Sequence, residues 1–410
     1  MPPLHDVIII GAGPAGTATA ARLRQLGVRD VLVLERAEMP RDKPCGGGLT
    51  GRCDAALAAL GLQLTVPRVA ARRARIRFGA FERSVALPRP VSVVRRSEFD
   101  ASLVDQVRAL GVDVVGGARV VQLAVAADAV TLRLASGETQ RARVVVGADG
   151  VASVVRRRLR AAAKAAPLRL FVQELPARNC GEDLLFDFTP MLAGTRGYVW
   201  AFPVAGGHVN VGVLHFPSTP RTPRELLHAL RAGLARDGIE LPPRGTQGWP
   251  VWGYEPHATV AAARLLTVGD AAGVDALTGE GIAVALEQAA IAGAAVARAL
   301  ARRDFGFAGY AAALRRSPVG RELALDRWLA QRAYQADPGW RRWMRRLLFD
   351  GDFAELYAAR IAGTATLGAC MRALWRACGR DVVHAGPRRR AFAQACIGYE
   401  GGETCGVARR

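Results

Sequence analysis

The sequence predicts an α/β fold in which a Rossmann-like nucleotide-binding domain carries an inserted antiparallel-sheet domain and is followed by a helical C-terminal region. Three observations predict it. The chain opens on a continuous apolar run leading into glycines at GxGxxG spacing. From about residue 168 to residue 253 the alternation of strand and helix gives way to strand after strand. Beyond Asp304 the apolar residues fall at helical spacing. The expected boundaries make the first domain discontinuous, over 1–67, 95–165 and 258–305, with 68–94 and 166–257 in the sheet domain and 306–410 helical.

The first element is the run Val7 to Ile10, apolar on both faces like a buried parallel strand, followed by Gly11, Gly13 and Gly16. Gly11 permits a sharp turn, Gly13 a close approach of pyrophosphate to the backbone, and Gly16 the packing of a helix on the strand. The helix N-terminus then presents free amides to an anion. A second strand, Val31 to Leu34, ends at Glu35, where a carboxylate can accept from a ribose diol. The bland alternative is a tight strand-to-helix turn without ligand.

The next stretch, RAEMPRDKPCGGGLTG, is too rich in proline and glycine for a helix. Gly46, Gly47 and Gly48 would let the backbone approach a flat ring, with the Cys45 thiol beside it; a loop with an incidental thiol is the other reading. A helix from Cys53 to Leu60 and short arginine-rich strands up to Val94 follow. Arg95 or Arg96, at a strand end, is within reach of a phosphate. Val130–Leu134 and Ala142–Val146 read as a hairpin around Ser136-Gly137-Glu138, leading into a buried strand that ends in Asp149-Gly150, with Ser153 and Arg156 on the next helix.

In the sheet domain, LRLFVQEL, DLLFDF, GYVWAF and HVNVGVLHF are strand-like. Tyr198, Trp200 and Phe202 share one face at period two and stop at Pro203, as a core row or as the wall of an apolar pocket. Leu265–Val268 is a further strand, ending at Asp270, and a long helix starts near Gly281. Farther on, Asp337 and Pro338 fit the start of a helix that sets Trp340, Trp343, Met344, Leu347 and Leu348 opposite Arg341, Arg342, Arg345 and Arg346. That pattern fits a membrane-surface anchor and equally a helix packed on its own domain.

Half of the 410 residues are hydrophobic and the formal charge is +20, carried almost wholly by arginine, since Lys43 and Lys164 are the only lysines. The excess cation favours an anionic neighbour. No nucleic-acid motif accompanies it, so lipid is the expected surface and no nucleic-acid partner is expected. Seven cysteines (Cys45, Cys53, Cys180, Cys370, Cys378, Cys396 and Cys405) at wide spacing argue for reduced thiols and no metal. With no signal peptide at the start and the apolar window Gly281–Ala297 falling short of a spanning helix, the expectation is a cytoplasmic monomer, peripheral to a membrane at most.

GAGPAG with Glu35, RDKPCGGGLT, Arg96 before EFD, GADGVAS and GDAAGVDALTGEGI together resemble FAD-dependent enzymes of the hydroxybenzoate-hydroxylase fold, over most of residues 5 to 300. Lys43-Pro44-Cys45-Gly46-Gly47-Gly48 and the YxWxFP run of Tyr198, Trp200, Phe202 and Pro203 resemble the geranylgeranyl reductase family, which saturates prenyl double bonds. The resemblance implies a FAD-binding first domain and a substrate-binding sheet domain. It implies FAD contacts at Gly11, Gly13, Ala15, Gly16, Glu35, Arg36, Cys45, Gly46, Gly48, Arg96, Val120, Asp270, Gly279, Gly281 and Ile282. It also implies a prenyl cavity lined by Tyr198, Trp200, Phe202 and Pro203, with Cys45, Tyr198 and Trp200 as the candidates for catalysis.

The implied reaction is hydride transfer from reduced flavin to an alkene of a prenyl lipid or quinone, with NAD(P)H or a reduced carrier protein as electron donor. No His, Asp or Glu reads as an obvious acid in the pocket, so the proton is expected from Cys45, Tyr198 or an ordered water. A monooxygenase acting on an aromatic or polyketide substrate shares every FAD motif; the Cys45 loop and the YxWxFP run favour the reductase. A flavin halogenase lacks its WxWxIP run here, and a non-catalytic membrane-surface flavoprotein would leave the cysteine loop and aromatic wall without a use.

Overall fold

A computed structural model describes residues 2–160, 166–177, 181–218, 220–334, 339–365, 369 and 372. Among these, the strands form two sheets of eight. In the first, the order from one edge is Ala261–Ala262, Leu265–Thr267, Thr139–Gly147, Leu4–Ile10, Val31–Leu34 and Asp113–Val115. Leu4–Ile10 lies centrally, parallel to both neighbours, with Ile9 in register with Val33 on one side and Val146 on the other. Its side chains are buried both ways, as a continuous apolar run requires. Val7 and Ile9 pack under the helices Pro14–Gln25, Arg96–Ala109 and Ile282–Arg302, whereas Ile8 and Ile10 pack toward Val130, Leu132 and Val155.

The expected hairpin forms between Val130–Leu134 and Thr139–Gly147, whose far half continues into the buried strand. The late strand is Leu265–Thr267; it stops before Asp270, which sits instead in a 3-10 turn, Gly269–Ala271. The following helix, Ile282–Arg302, is 21 residues long and apolar enough by length and composition to cross a membrane, which corrects the expectation that it falls short. Of its most apolar window 67% is nonetheless buried inside the fold, much of it against Pro14–Gln25, where a Cβ on Gly293 would lie 2.9 Å from that of Arg22.

The second sheet runs Gln247–Val251, Leu168–Pro176, His208–His215, Gly197–Val204, Leu184–Asp187, Arg68–Phe78, Phe81–Val94 and Gly48–Leu49. Two features differ from the sequence reading. The arginine-rich strands are not short but 11 and 14 residues long, a hairpin whose register slips at a bulge between Ala71 and Arg73. The sheet is not wholly antiparallel, because Leu184–Asp187 joins Arg68–Phe78 in parallel. A helix absent from the sequence reading, Pro223–Ala235, opens with a capping box between Thr222 and Glu225 and lays Leu226, Leu230 and Leu234 on the sheet face made by Val199, Val211 and Val213.

The opposite face carries Phe186, Tyr198 and Trp200, and C-terminal helices cover it. Pro318–Tyr334, Gly339–Phe349 and Gly351–Ile361 contribute Ala330, Met344, Leu347, Phe353 and Tyr357 to that core. Met344 and Leu347 are fully buried, so part of the apolar face that fits a membrane anchor is packed inward. The proposed start of that helix at Asp337 and Pro338 lies outside the described residues, as do the side chains of Trp340 and Trp343.

Candidate functional site

The two sheets meet at a cavity of about 360 Å³, and three loops supply its nucleotide side. The first is the glycine loop. Gly11 has φ +102°, and a Cβ there would lie 2.5 Å from the carbonyl oxygen of Ala148; a Cβ at Gly16 would lie 1.8 Å from the carbonyl oxygen of Gly11. Both contacts are main chain and cannot yield. At Gly13 a Cβ would meet only side-chain tips, Arg41 at 3.4 Å and Asp100 at 3.9 Å, so no main chain closes off this glycine. Glu35 accepts the Ala12 amide at 2.8 Å and faces Arg41 Nε at 3.3 Å.

The second loop runs from Lys43 to Thr50. Its Gly47, at φ +73°, passes so close to the second sheet that a Cβ would lie 2.2 Å from the Val94 carbonyl oxygen. The Gly47 amide donates to Cys45 Sγ at 3.4 Å, and Lys43 Nζ ion-pairs with Asp270 at 3.3 Å. Arg96, buried at the first turn of its helix, makes a two-pronged bond to Asp100 at 2.9 and 2.8 Å. Burial disfavours its charge, but Asp100 and the adjacent Cys45 thiol outweigh that and hold the guanidinium firmly protonated. The third loop, Asp275 to Gly281, leads into Ile282–Arg302, and neither this helix nor Pro14–Gln25 has a side-chain N-cap. Two uncapped helix N-termini border one cavity, an arrangement that receives anionic or electron-rich groups.

The sheet side is aromatic. Tyr198, Trp200 and Phe202 follow one another with ring centroids 6.2 and 6.3 Å apart, and Phe186 lies 5.6 Å from Tyr198 and 5.2 Å from Phe202. The row meets the loop directly, since a Cβ on Gly46 would lie 3.2 Å from Phe202. Burial pushes the Tyr198 phenol up, and its hydroxyl donates to the Thr278 carbonyl. Its proton is therefore already engaged.

Of the residues expected from sequence, Gly11, Gly13, Ala15, Glu35, Arg36, Cys45, Gly46, Gly48, Arg96, Val120, Asp270, Gly279, Gly281, Ile282, Tyr198, Trp200 and Phe202 line this one cavity. Gly16 and Pro203 do not line it. Gly16 serves the packing of helix on strand, and Pro203 falls between Phe202 and Val204 on the alternate face of its strand.

Sequence reasoning missed four residues. Asn210, in register with Phe202, accepts Trp200 Nε1–H at 2.9 Å and donates to the Cys45 carbonyl at 2.8 Å, which ties aromatic row to cysteine loop. Gly212, in register with Trp200, leaves room for the indole, because a Cβ there would lie 2.2 Å from the ring. Trp249 lines the cavity with its Nε1–H buried and unpartnered. Glu280 also lines it, where the sequence offered no obvious acid, and burial holds its carboxyl above the ordinary range. The first two were readable from hairpin pairing; Glu280 was visible as the only charge in TGEGI.

The FAD binding domain family profile matches residues 5–305. The chain belongs to that family. It is an FAD-dependent oxidoreductase of the geranylgeranyl reductase type. A menaquinone reductase of Mycobacterium tuberculosis is 34% identical over 70% of this chain and 75% of its own. A rifampicin monooxygenase of Streptomyces venezuelae is 32% identical over 58% and 53%, and a digeranylgeranylglycerophospholipid reductase of Methanosarcina mazei is 28% identical over 73% and 77%. A geranylgeranyl bacteriochlorophyll reductase-like structure from Thermoplasma acidophilum shares the fold at TM-score 0.66 and 18% identity, over 96% of this chain and 99% of that one.

The residues present fit the cofactor of an FAD-binding domain. The open face of Gly13, the uncapped amides and the orphaned Trp249 Nε1–H are main-chain and indole donors without partners beside a cavity, and a dinucleotide supplies acceptors.

Proposed function

We propose that this FAD-dependent oxidoreductase saturates carbon–carbon double bonds in the prenyl chain of a quinone. The observation that carries the proposal is the aromatic row Tyr198, Trp200 and Phe202 lying against the Cys45–Gly48 loop in one cavity. An apolar wall with few polar groups holds a flexible hydrocarbon by shape. The relatives' names support the substrate class: one reduces menaquinone and is 34% identical, another acts on a digeranylgeranyl lipid and is 28% identical.

In this reading Gly11, Gly13, Ala15, Glu35, Arg36, Arg96, Val120, Asp270, Gly279, Gly281 and Ile282 hold FAD, whose reduced form supplies the hydride. The two helix N-termini take the anionic parts, Glu35 the ribose, and the Gly46–Gly48 backbone comes close to the ring. The first sheet with its helices binds the cofactor and the second sheet binds the substrate. Tyr198, Trp200 and Phe202 pack along the chain and exclude water, while Arg96 steadies any negative charge that Cys45 develops. Electrons arrive from NAD(P)H or a reduced carrier protein.

The test is anaerobic. Holoprotein reduced with dithionite, or with NADH or NADPH, is mixed with a prenyl quinone or a prenyl glycerolipid. A quinone ring reoxidises flavin by itself, so the readout is product mass, which gains two hydrogens per saturated bond. Saturation of the quinone's side chain is expected. Monooxygenase kinship also exists, so products that form only with oxygen and gain an oxygen atom would replace this proposal. An insoluble substrate places the work at a membrane surface, and sedimentation with anionic vesicles at low salt but not at high salt is expected.

A further inference from the structure

Alkene saturation needs a proton as well as a hydride. The cavity's cysteine is its only thiol among the described residues, and the Tyr198 proton is bound to the Thr278 carbonyl. Beside Tyr198 lies a carboxyl cluster that the cofactor reading does not use. A Cβ on Gly279 would lie 3.9 Å from the Tyr198 hydroxyl, and Glu280 follows it into the cavity wall. Glu280 Oε1 accepts the Thr50 hydroxyl at 2.6 Å, and Thr50 also lines the cavity.

Behind them the charges do not balance. Arg52 meets Glu280 at 3.2 Å, Glu287 at 2.7 Å and Glu322 at 3.0 Å. Arg360 meets Glu322 at 3.4 Å and also Asp326. Asp275 adds another negative group close to both guanidiniums' partners, with its own oxygens held by the amides of Leu277 and Thr278 at 2.6 and 3.0 Å. Carboxylates thus outnumber guanidiniums in a mostly buried cluster, and Asp326 Oδ1 is buried without any donor. Burial, with the negative charge of Asp275 nearby, pushes the Glu280 carboxyl above its ordinary value despite Arg52 and Thr50, which favours its protonated form.

Resting on the alkene-reduction reading, we propose that Glu280 is the proton donor for the reduced double bond. One alkene carbon takes the hydride from reduced flavin, with its electron pair. The other carbon takes the proton as the Glu280 O–H bond breaks. Glu280 is left as a carboxylate, stabilised by Arg52 and the Thr50 hydroxyl, and regains its proton from water. Flavin ends oxidised and the substrate gains two hydrogens.

The test uses FAD-loaded protein with Glu280→Gln and Thr50→Val. Glu280→Gln is expected to lower kcat for chain saturation about 100-fold, with KM and FAD content within about twofold. In wild type the rate falls at high pH as the carboxyl ionises; Glu280→Gln abolishes that limb. Thr50→Val keeps the carboxyl but removes a hydrogen bond to its ionised form, so the limb moves to higher pH. Independently of turnover, the infrared difference spectrum of wild type minus Glu280→Gln at pH 7 is expected to show the C=O band of one protonated carboxyl. Wild-type turnover in Glu280→Gln, an unmoved limb in Thr50→Val, or a difference spectrum without that band overturns the role. Wild-type protein that saturates no prenyl chain overturns the alkene-reduction reading, and the role falls with it.

Discussion

On its nucleotide side the cavity is lined by main chain, where Gly11, Gly13 and Gly281 bring amides and turns to the surface. On its sheet side it is lined by rings, with Trp200 and Phe186 each bridging Tyr198 and Phe202 at centroid distances of 5.2 to 6.3 Å. The two sides depend on different physics. The first tolerates no added atom at Gly11 or Gly16, because each is opposed by a main-chain carbonyl. The second depends on contacts that soft side chains can partly replace, and its precision comes from a few hydrogen bonds that tie it to the cysteine loop.

Gly16→Ala tests the first side and carries the largest expected effect. Its Cβ would lie 1.8 Å from the Gly11 carbonyl oxygen, so helix and strand must separate. Overpacking of this kind costs about 1–3 kcal/mol where neighbours can move and more where they are backbone. The expected result is loss of bound FAD together with a lower melting temperature; a variant with full FAD content would show that the crevice is as adaptable as the aromatic wall.

Asn210→Ala sharpens the contrast from the other side. It leaves the Trp200 indole N–H and the Cys45 carbonyl without partners, at a cost of about 1–3 kcal/mol. FAD content should hold while the Michaelis constant for the prenyl substrate rises. Loss of FAD in step with stability would mean that the two sides are one mechanical unit.

The smallest effect is one of pH, at Asp149. Burial pushes this carboxyl up to about 6, from an ordinary value of 3.8, although it accepts the Val154 amide at 2.8 Å. Its Oδ1 is buried with no partner. The folded state therefore holds a proton that the unfolded state releases between those values, so stability falls as pH rises from 3.8 to about 6 and stays lower above it. Asp149→Asn keeps an acceptor for Val154 without the charge. It should melt higher than wild type above pH 6 and alike below about 3.8, as followed by thermal denaturation across that range.

The same contrast explains what could be read from the chain. Strand, glycines and Glu35 lie within Val7 to Glu35, and their constraints are local, so the nucleotide side was legible. The period-two row at Tyr198 was legible for the same reason. What Asn210 and Glu280 touch was not, because their partners are 165 and 230 residues away in sequence and depend on which loops converge. The long hairpin from Arg68 to Val94 read as short strands because Pro88, Pro90 and the bulge after Ala71 interrupt its alternation. Pro203 belonged to the run but not to the cavity, since a strand offers only every second side chain to one face.

The first sheet closes late. Leu4–Ile10 rests on Thr139–Gly147, whose outer neighbour is Leu265–Thr267, and the helix that seals Pro14–Gln25 ends only at Arg302. During synthesis the founding strand therefore waits, with part of its final cover still unmade, until nearly three quarters of the chain has left the ribosome. The sheet domain is encoded inside that interval, and its principal hairpins pair neighbours in sequence. Such contacts close fast, so the insert can settle first and bring the two distant halves of the nucleotide domain together.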